Sequence, residues 1–304
     1  MSHKIEYALF KLLQWVLTQM PFKSVQRLGA GLGLAGYYVS SSRRAVALDN
    51  LRHAFPDQSH AELQAIAKRS FMNYGSTLME FFWIPALKEP MLDEIFHPSQ
   101  FSLMVEAAGR GKGGVFLTGH IGNWELLALA SSRFTKGHFT IIVQTQSNKL
   151  FDEEINRNRT KFGNRVVPMG ISIREILKTL QQGGMIAIAG DQSGAKEGVY
   201  VDFFGRSVAT HQGPAVFALK CRVPLLLALT FRRPDGSFDA EIQEIPVGDL
   251  QEYSEANVLE LTRRHTAALE AAIRRQPEQW LWMHRRWKNT WESVQKELSE
   301  AQHT

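Results

Sequence analysis

A single cysteine, Cys221, occurs among 304 residues, which excludes an intramolecular disulfide and any cysteine-rich zinc site. The chain also lacks an unbroken apolar run of the roughly 20 residues that a membrane-spanning helix requires. Leu12–Phe22 and Leu28–Ser42 are free of charge, but Pro21 and the stretch from Lys23 to Arg27 stand between them. Lys11 beside the first run, with no small-x-small cleavage site at the expected distance, weighs against a secretory signal. No G-K-[S/T] phosphate loop, no G-x-S-x-G elbow and no H-E-x-x-H pair is found, so the commonest nucleotide-binding, serine-hydrolase and zincin signatures are missing. Repeats, low-complexity tracts and long linkers are absent too, which favours one main domain.

With 44% hydrophobic and 10% aromatic residues, the chain has ample material for a core. Its formal charge of +5 is unevenly placed. Lys4, Lys11, Lys23, Arg27, Arg43, Arg44 and Arg52 face only Glu6 and Asp49 within residues 1–56, so the remainder is neutral overall. The residues between these bases are greasy. That pattern reads as short helices lying in or dipping into a bilayer surface, with Trp15, Tyr37 and Tyr38 at headgroup level and the bases meeting anionic lipid. The alternative is an amphipathic N-terminal helix packed on the core. The neutral remainder and the greasy interleaving argue against a nucleic-acid binder, despite the aromatic and basic residues at 280–288. The expected organisation is a membrane-associating segment over 1–45 and a main domain over 46–304.

Periodicity predicts an α/β fold with a single mixed, largely parallel sheet flanked by helices. Ser59 and Glu62 form a capping-box pattern that opens a helix running to Pro85. Val115–Thr118, Phe139–Gln144 and Met185–Ala189 read as strands, and Trp124–Ser132 as a helix. Ser172-x-x-Glu175 starts a further helix that ends at Gly183-Gly184. Pro224–Phe231 and Phe238–Ile245 flank Pro234-Asp235-Gly236 as a hairpin, and Ser254–Arg275 is a long amphipathic helix.

Gly109-Arg-Gly111-Lys-Gly113-Gly114 matches G-x-G-x-x-G but precedes a strand instead of following one, so it is rejected as a dinucleotide site. The informative segment is Gly114-Val-Phe-Leu-Thr-Gly-His120-Ile-Gly-Asn-Trp-Glu125. A buried strand delivers His120 to the end of the sheet where α/β folds open their ligand crevice, and Glu125 falls in the first turn of the next helix. In one reading Glu125 holds one imidazole nitrogen and stabilises the imidazolium, which leaves the other nitrogen to take a proton from a hydroxyl. Backbone N–H groups from Gly122 to Trp124 would then face a developing oxyanion, which makes Asn123 a candidate substrate contact. In the other reading His120 merely ends a strand beside a capping glutamate. Two such ligands make a poor metal site, and no third presents itself.

His120-Ile-Gly-Asn-Trp-Glu125 resembles the H-x4-[D/E] box of acyltransferases, in the "HxGNWE" form of the bacterial lipid A biosynthesis acyltransferases of lauroyl and myristoyl type. Asn50-Leu51 with Phe55-Pro56 is similar to that family's "NL…FP" element, and Asp191-Gln192 to its "DQ" element. Phe203-Phe204-Gly205 with Thr210 and Gly213-Pro214-Ala215 resembles its "FFG…T..GPA" stretch. The segment from Pro277 through Trp280, Trp282 and His284-Arg285-Arg286 resembles its closing box. Five such elements in order cover most of the chain. The wider superfamily includes phosphatidylinositol mannoside acyltransferases, so the acceptor is less narrowly marked than the reaction.

The resemblance implies a glycerolipid-acyltransferase-like fold, an acyl carrier protein thioester as donor, and a membrane-borne phosphorylated glycolipid as acceptor. It places the enzyme at the cytoplasmic face of the inner membrane, with His120 as general base, Glu125 orienting it, and neither metal nor cofactor required. Among the arginines after Asn148, Arg157 and Arg159 are the expected phosphate partners, with a solvated helix end as the alternative. Asp191, at another strand end, is expected to pair with one of these arginines or to cap a turn. A catalytically silent lipid-binding protein on the same fold is the remaining alternative.

Overall fold

The computed structural model describes residues 3–137, 139–170, 173–250 and 252–301. Three helices lead the chain: α1 (His3–Thr18), α2 (Phe22–Val39) and α3 (Ser41–Ala54). The long α4 (His60–Trp83) starts at a complete capping box, in which Ser59 Oγ accepts from the Glu62 N–H and the Glu62 carboxylate accepts from the Ser59 N–H at 2.7 Å. Short α5 (Met91–Ile95) and α6 (Ser102–Gly109) then lead into alternating strands and helices. These are β1 (Gly114–Thr118), α7 (Trp124–Thr135), β2 (Phe139–Val143), α8 (Lys149–Arg159), β3 (Arg165–Pro168), α9 (Ile173–Gln181) and β4 (Met185–Ala189). A two-stranded hairpin of β5 (Val199–Phe203) and β6 (Arg206–Thr210) follows. The chain closes with α10 (Gly213–Cys221), β7 (Leu225–Arg232), β8 (Phe238–Ile245), α11 (Glu255–Arg275) and α12 (Trp291–Ala301).

The main sheet has six strands in the order β3-β2-β4-β1-β7-β8, parallel throughout except for the antiparallel β7–β8 hairpin. The expected mixed, largely parallel sheet flanked by helices is therefore present. Alternation along β1 explains the layering. Val115 and Leu117 face a core shared with α10 and α11, whereas Phe116 faces a second core with Met104 of α6 and Leu126 and Leu127 of α7. Both faces are covered, so the strand reads as a continuous apolar run. Three strands escaped the periodicity. The edge strand β3 is only four residues long, and β5–β6 alternates around a two-residue turn at Phe204-Gly205, both at positive φ. Ser172, the expected cap of α9, lies outside the described residues.

The N-terminal helices are packed against the body of the protein. In α2, Gly29 and Gly33 lie so close to α4 that a Cβ on Gly33 would sit 2.1 Å from the Phe71 carbonyl oxygen. Gly75 answers from α4, where an added Cβ would fall 2.2 Å from the Gly29 oxygen. Tyr37, expected at headgroup level, is instead buried with its ring edge-on to Phe71 at 5.4 Å. The other side of these helices stays apolar and open. Ile5, Leu9, Leu12 and Val16 follow helical spacing along α1, with Trp15 64% exposed; on α2 the open residues are Leu28, Leu32, Tyr38 and Val39. Among the described residues, no helix is long and apolar enough to cross a membrane.

The glycine pair offers a matched test. Gly→Ala in a helix gains about 1 kcal/mol of propensity, while forcing a methyl into a closed contact costs about 1–3 kcal/mol. At Gly31 an added methyl would meet no heavy atom within 4 Å, so this position feels only the first effect. Gly31→Ala is expected to raise the thermal midpoint and Gly33→Ala to lower it. Equal shifts in the two melting curves would mean that the helices do not pack this closely.

Candidate active site

Register sets the site. Thr118 and Ala189 are partners on the parallel strands β1 and β4, and two residues past each lie His120 and Asp191. The Asp191 carboxylate receives three donors: the His120 backbone N–H at 2.8 Å, the His120 imidazole through Nδ1 at 2.7 Å, and the Trp280 indole at 2.8 Å. With Nδ1–H donated to Asp191, the neutral ring carries its free lone pair on Nε2. The Gln192 amide lies 3.4 Å from that nitrogen, and Trp124 stands edge-on to the ring at 4.7 Å. The imidazole is 19% exposed and the Asp191 side chain 2%.

Burial alone would depress the imidazole pKa. The charge and hydrogen bond of Asp191, with a smaller push from the Glu125 charge and against Arg159, outweigh it and leave the pKa above the ordinary 6.5. Burial likewise works against an ionised Asp191, yet the imidazole and the three donors hold its carboxyl far below the usual range. The pair therefore favours an imidazolium–carboxylate state more than either isolated group would.

This geometry corrects the expected assignment of partners. The carboxylate on His120 is Asp191, whose expected arginine pairing is not formed. Glu125 instead holds Arg159 of α8 in a bidentate pair, with Nη2 at 2.6 Å and Nε at 2.9 Å. Spacing failed here because Glu125 leaves the first turn of α7 on the side that meets α8. Asn123 is corrected as well. Its side chain is fully buried and fully engaged: Oδ1 caps α7 by accepting from the Leu126 N–H at 2.9 Å, and Nδ2 donates to Glu80 at 2.6 Å. Its side chain shapes the turn. The Gly122 N–H, expected toward an oxyanion, is given to the Gln279 carbonyl at 3.1 Å. Arg157 is exposed, paired with Glu154 at 2.9 Å, and is not part of the group around His120.

The turn itself is tightly specified. Gly122 has φ +55°, and a Cβ there would strike the Thr230 carbonyl oxygen at 2.2 Å, so only glycine fits. The closing segment stitches onto it, with the Leu281 N–H bonded to the His120 carbonyl at 3.1 Å and Ile121 bridged to Trp280. Trp280, Trp282 and Arg286 are almost wholly buried, which makes this segment the back wall of the site. No sequence spacing reveals that Trp280 reaches Asp191, since 89 residues separate them.

An apolar cavity of about 660 Å³ begins at the ends of β2 and β4, lined by Ile142, Met169, Ile188, Ala189, Pro214 and Phe217 among others. Cys221 sits at the opposite end of α10, near the start of β7, and burial raises its thiol pKa, so it is no nucleophile for this site. Among the described residues, no group of three or more His, Cys, Asp or Glu side chains could hold a metal ion.

Several known proteins are similar in sequence to this chain. The profile of the bacterial lipid A biosynthesis acyltransferases matches residues 2–289. The lipid A biosynthesis lauroyltransferase of Escherichia coli K12 is 24% identical over 287 residues, covering 92% of this chain and 90% of that protein. The myristoyltransferase of the same strain is 26% identical over 268 residues, covering 84% and 77%. A phosphatidylinositol mannoside acyltransferase of Mycolicibacterium smegmatis is 24% identical over 175 residues, covering 56% and 57%. The chain belongs to the bacterial lipid A biosynthesis acyltransferase family and is an acyl-transferring enzyme.

Proposed function

We propose that this enzyme transfers a secondary fatty acyl chain from an acyl carrier protein thioester to a hydroxyl of a phosphorylated lipid A precursor, with His120 as general base. The observation that carries the mechanism is the His120–Asp191 pair, which engages Nδ1 and leaves Nε2, 3.4 Å from the Gln192 amide, to take a proton. His120 takes the hydroxyl proton as the oxygen attacks the thioester carbonyl carbon. Asp191 stabilises the imidazolium that forms. As the tetrahedral intermediate collapses, the C–S bond breaks, the ester remains, and the imidazolium returns its proton to the leaving thiolate. No acyl-enzyme is needed. Arg159 keeps Nη1 available beyond its pair with Glu125 and serves as a contact for an anionic substrate group, while Arg157 is left to a weaker, solvent-side role.

The apolar cavity beside Ala189 is suited to the acyl chain, since each methylene removed from water contributes about 0.8 kcal/mol. The open apolar stripes of α1 and α2, with the bases around them, suit an interfacial helix pair on an anionic inner-membrane surface at the cytoplasmic face. Coverage of nearly the whole chain by the lipid A enzymes favours that acceptor over a mannoside.

The deciding assay combines detergent-dispersed protein, a phosphorylated lipid A precursor and acyl carrier protein thioesters, with products weighed by mass spectrometry. One added chain is expected, with His120→Gln lowering kcat by about 10²–10⁴. A folded wild-type protein that transfers nothing from any donor would overturn the reading. The pH profile separates the role of Asp191. A base works unprotonated, so kcat/KM rises with pH through the imidazole pKa, and the acid limb of the wild type is expected above 6.5. In Asp191→Asn burial acts on the ring without the larger opposing charge, and the limb is expected to move to lower pH as the rate falls. An unmoved limb would remove Asp191 from the mechanism.

Ile142→Phe narrows the apolar cavity, and donor preference is expected to shift toward shorter chains. An unchanged preference would place the acyl chain elsewhere. Leu12→Asp combined with Trp15→Asp is expected to reduce cosedimentation with vesicles containing anionic lipid, while leaving transfer to a detergent-dispersed acceptor intact. Undiminished cosedimentation would show that this face does not dock.

A further inference from the structure

A second cavity, of about 560 Å³, shares no lining residue with the apolar one and is opposite in character. Arg43, His284, Arg285 and Lys288 line it together with Gln192 and Asn289, and no carboxylate does. Unlike Arg159 and Arg232, which are locked to Glu125 and Glu80, neither Arg43, Arg285 nor Lys288 has an acidic partner among the described residues. The walls are nevertheless fixed. Asn50 of α3 donates to the carbonyls of Trp282 and His284, both at 2.8 Å, and Arg43 reaches the Met283 carbonyl at 3.4 Å. Asn289 donates to the Gly194 carbonyl at 2.8 Å and returns its own carbonyl to the Ala209 N–H at 2.9 Å. Three separate parts of the chain are thereby braced around a space whose inward charges are all of one sign.

One side chain links the cavity to His120. Gln192 lines it and stands 3.4 Å from His120 Nε2. His284 lines it as well, and its pKa is lowered chiefly by burial, with Asp191 opposing and His120, Arg286 and, least, Arg43 adding to the fall. Arg43 lies in the first turn of α3, four residues beyond Val39, which is 84% exposed at the end of the open apolar face of α2. A charged headgroup whose tails occupied that face would be delivered to this position.

We propose that this cavity is a phosphate subsite for the acceptor, in which Arg43, Arg285 and Lys288 take a phosphomonoester on the sugar headgroup and so bring its hydroxyl-bearing chain to His120. Arginine supplies paired donors to phosphate oxygens and lysine a point charge. The inference rests on the glycolipid-acceptor reading above. The thioester donor also carries a phosphate, but at the far end of its pantetheine arm from the reacting carbonyl. A phosphorylated sugar carries its phosphate only a few bonds from the acyl chain to be esterified, and only that spacing suits a subsite one side chain away from the base.

The test measures binding without turnover, in full-length protein carrying His120→Gln. The probes are a phosphorylated glucosamine-disaccharide lipid in detergent, the same lipid after phosphatase treatment, and phosphatidylglycerol vesicles. Arg285→Ala with Lys288→Ala is expected to weaken the phosphorylated lipid by about tenfold or more per lost charged contact, and the dephosphorylated lipid little. The titration of His284, followed by histidine NMR, is expected to move to higher pH when the phosphorylated lipid is added. Equal loss for both lipids, or loss confined to the vesicles with His284 unmoved, would overturn the subsite. In the background with His120 restored, a rise in KM for the acyl carrier protein thioester and none for the acceptor would reassign the cavity to the donor and overturn it too. Phosphate-dependent binding without any turnover in the wild type would sustain the subsite while refuting the transfer reaction.

Discussion

Because Thr118 and Ala189 are partners on adjacent parallel strands, the residues that follow them leave the sheet side by side, and His120 arrives next to Asp191. Gly119 and Gly190 lie between strand and site, and both are closely enclosed. A Cβ on Gly119 would sit 3.4 Å from Asp191 itself, and one on Gly190 would press on Leu117 at 2.6 Å. Space beside the two strand ends is thus limited.

A nearly buried carboxylate is costly unless its lone pairs are satisfied. Asp191 meets that cost with three donors, one of them the indole of Trp280 from the closing segment. Trp280 is in turn fixed by Ser70 of α4, which donates to its carbonyl at 2.6 Å. A second buried carboxylate, Glu80, supports the other side of the turn: it accepts from Asn123, from Gln26 of α2 and from Arg232 at the end of β7. Through these bonds the helix that carries an open apolar face is tied to the start of α7, the helix that follows His120. Arg286 is buried without a carboxylate beside it, bonded to the Ala209 carbonyl at 2.9 Å and to Thr210 at 2.7 Å, and its pKa falls to about 10. Its charge also pushes neighbouring His265 down to about 3, after burial itself, so that histidine is a neutral core residue.

Periodicity made the fold legible wherever an element buries a regular face. The capping box at Ser59, the strand Met185–Ala189 and the hairpin around Pro234-Asp235-Gly236 all lie where hydrophobic pattern and turn chemistry place them. The β5–β6 hairpin was hidden because its turn places Phe204, a bulky residue, at positive φ, where turn chemistry leads one to look for glycine or asparagine. What holds it is tertiary: the ring of Phe204 packs among Phe203, Trp282 and Trp287, and its N–H bonds to Glu270 at 2.6 Å. The sequence pointed to individual residues and not to their pairs: Arg157 does not join the group around His120, and the bond of Trp280 to Asp191 was not foreseen. His120, Glu125, Arg159 and Asp191 each lie near the crevice, yet the pairing depends on strand order, and strand order is not written in periodicity.

Glu125 shows what that difference means chemically. Placed on His120, it would have been the second member of a local dyad, five residues away around one turn. Bound to Arg159 by two parallel hydrogen bonds, it becomes half of an ion pair whose members act on the imidazole in opposite directions. The net influence of such a pair on a nearby charge is weaker than that of either member alone, so it supplies orientation and polarity more than basicity. Basicity is set instead by Asp191, which no cation neutralises at contact distance except the imidazole itself. In the proposed mechanism, a base controlled from the neighbouring strand would keep its partner out of reach of the substrate. That mechanism would also leave the α7–α8 side, where Arg159 is held by Glu125, to recognise charge.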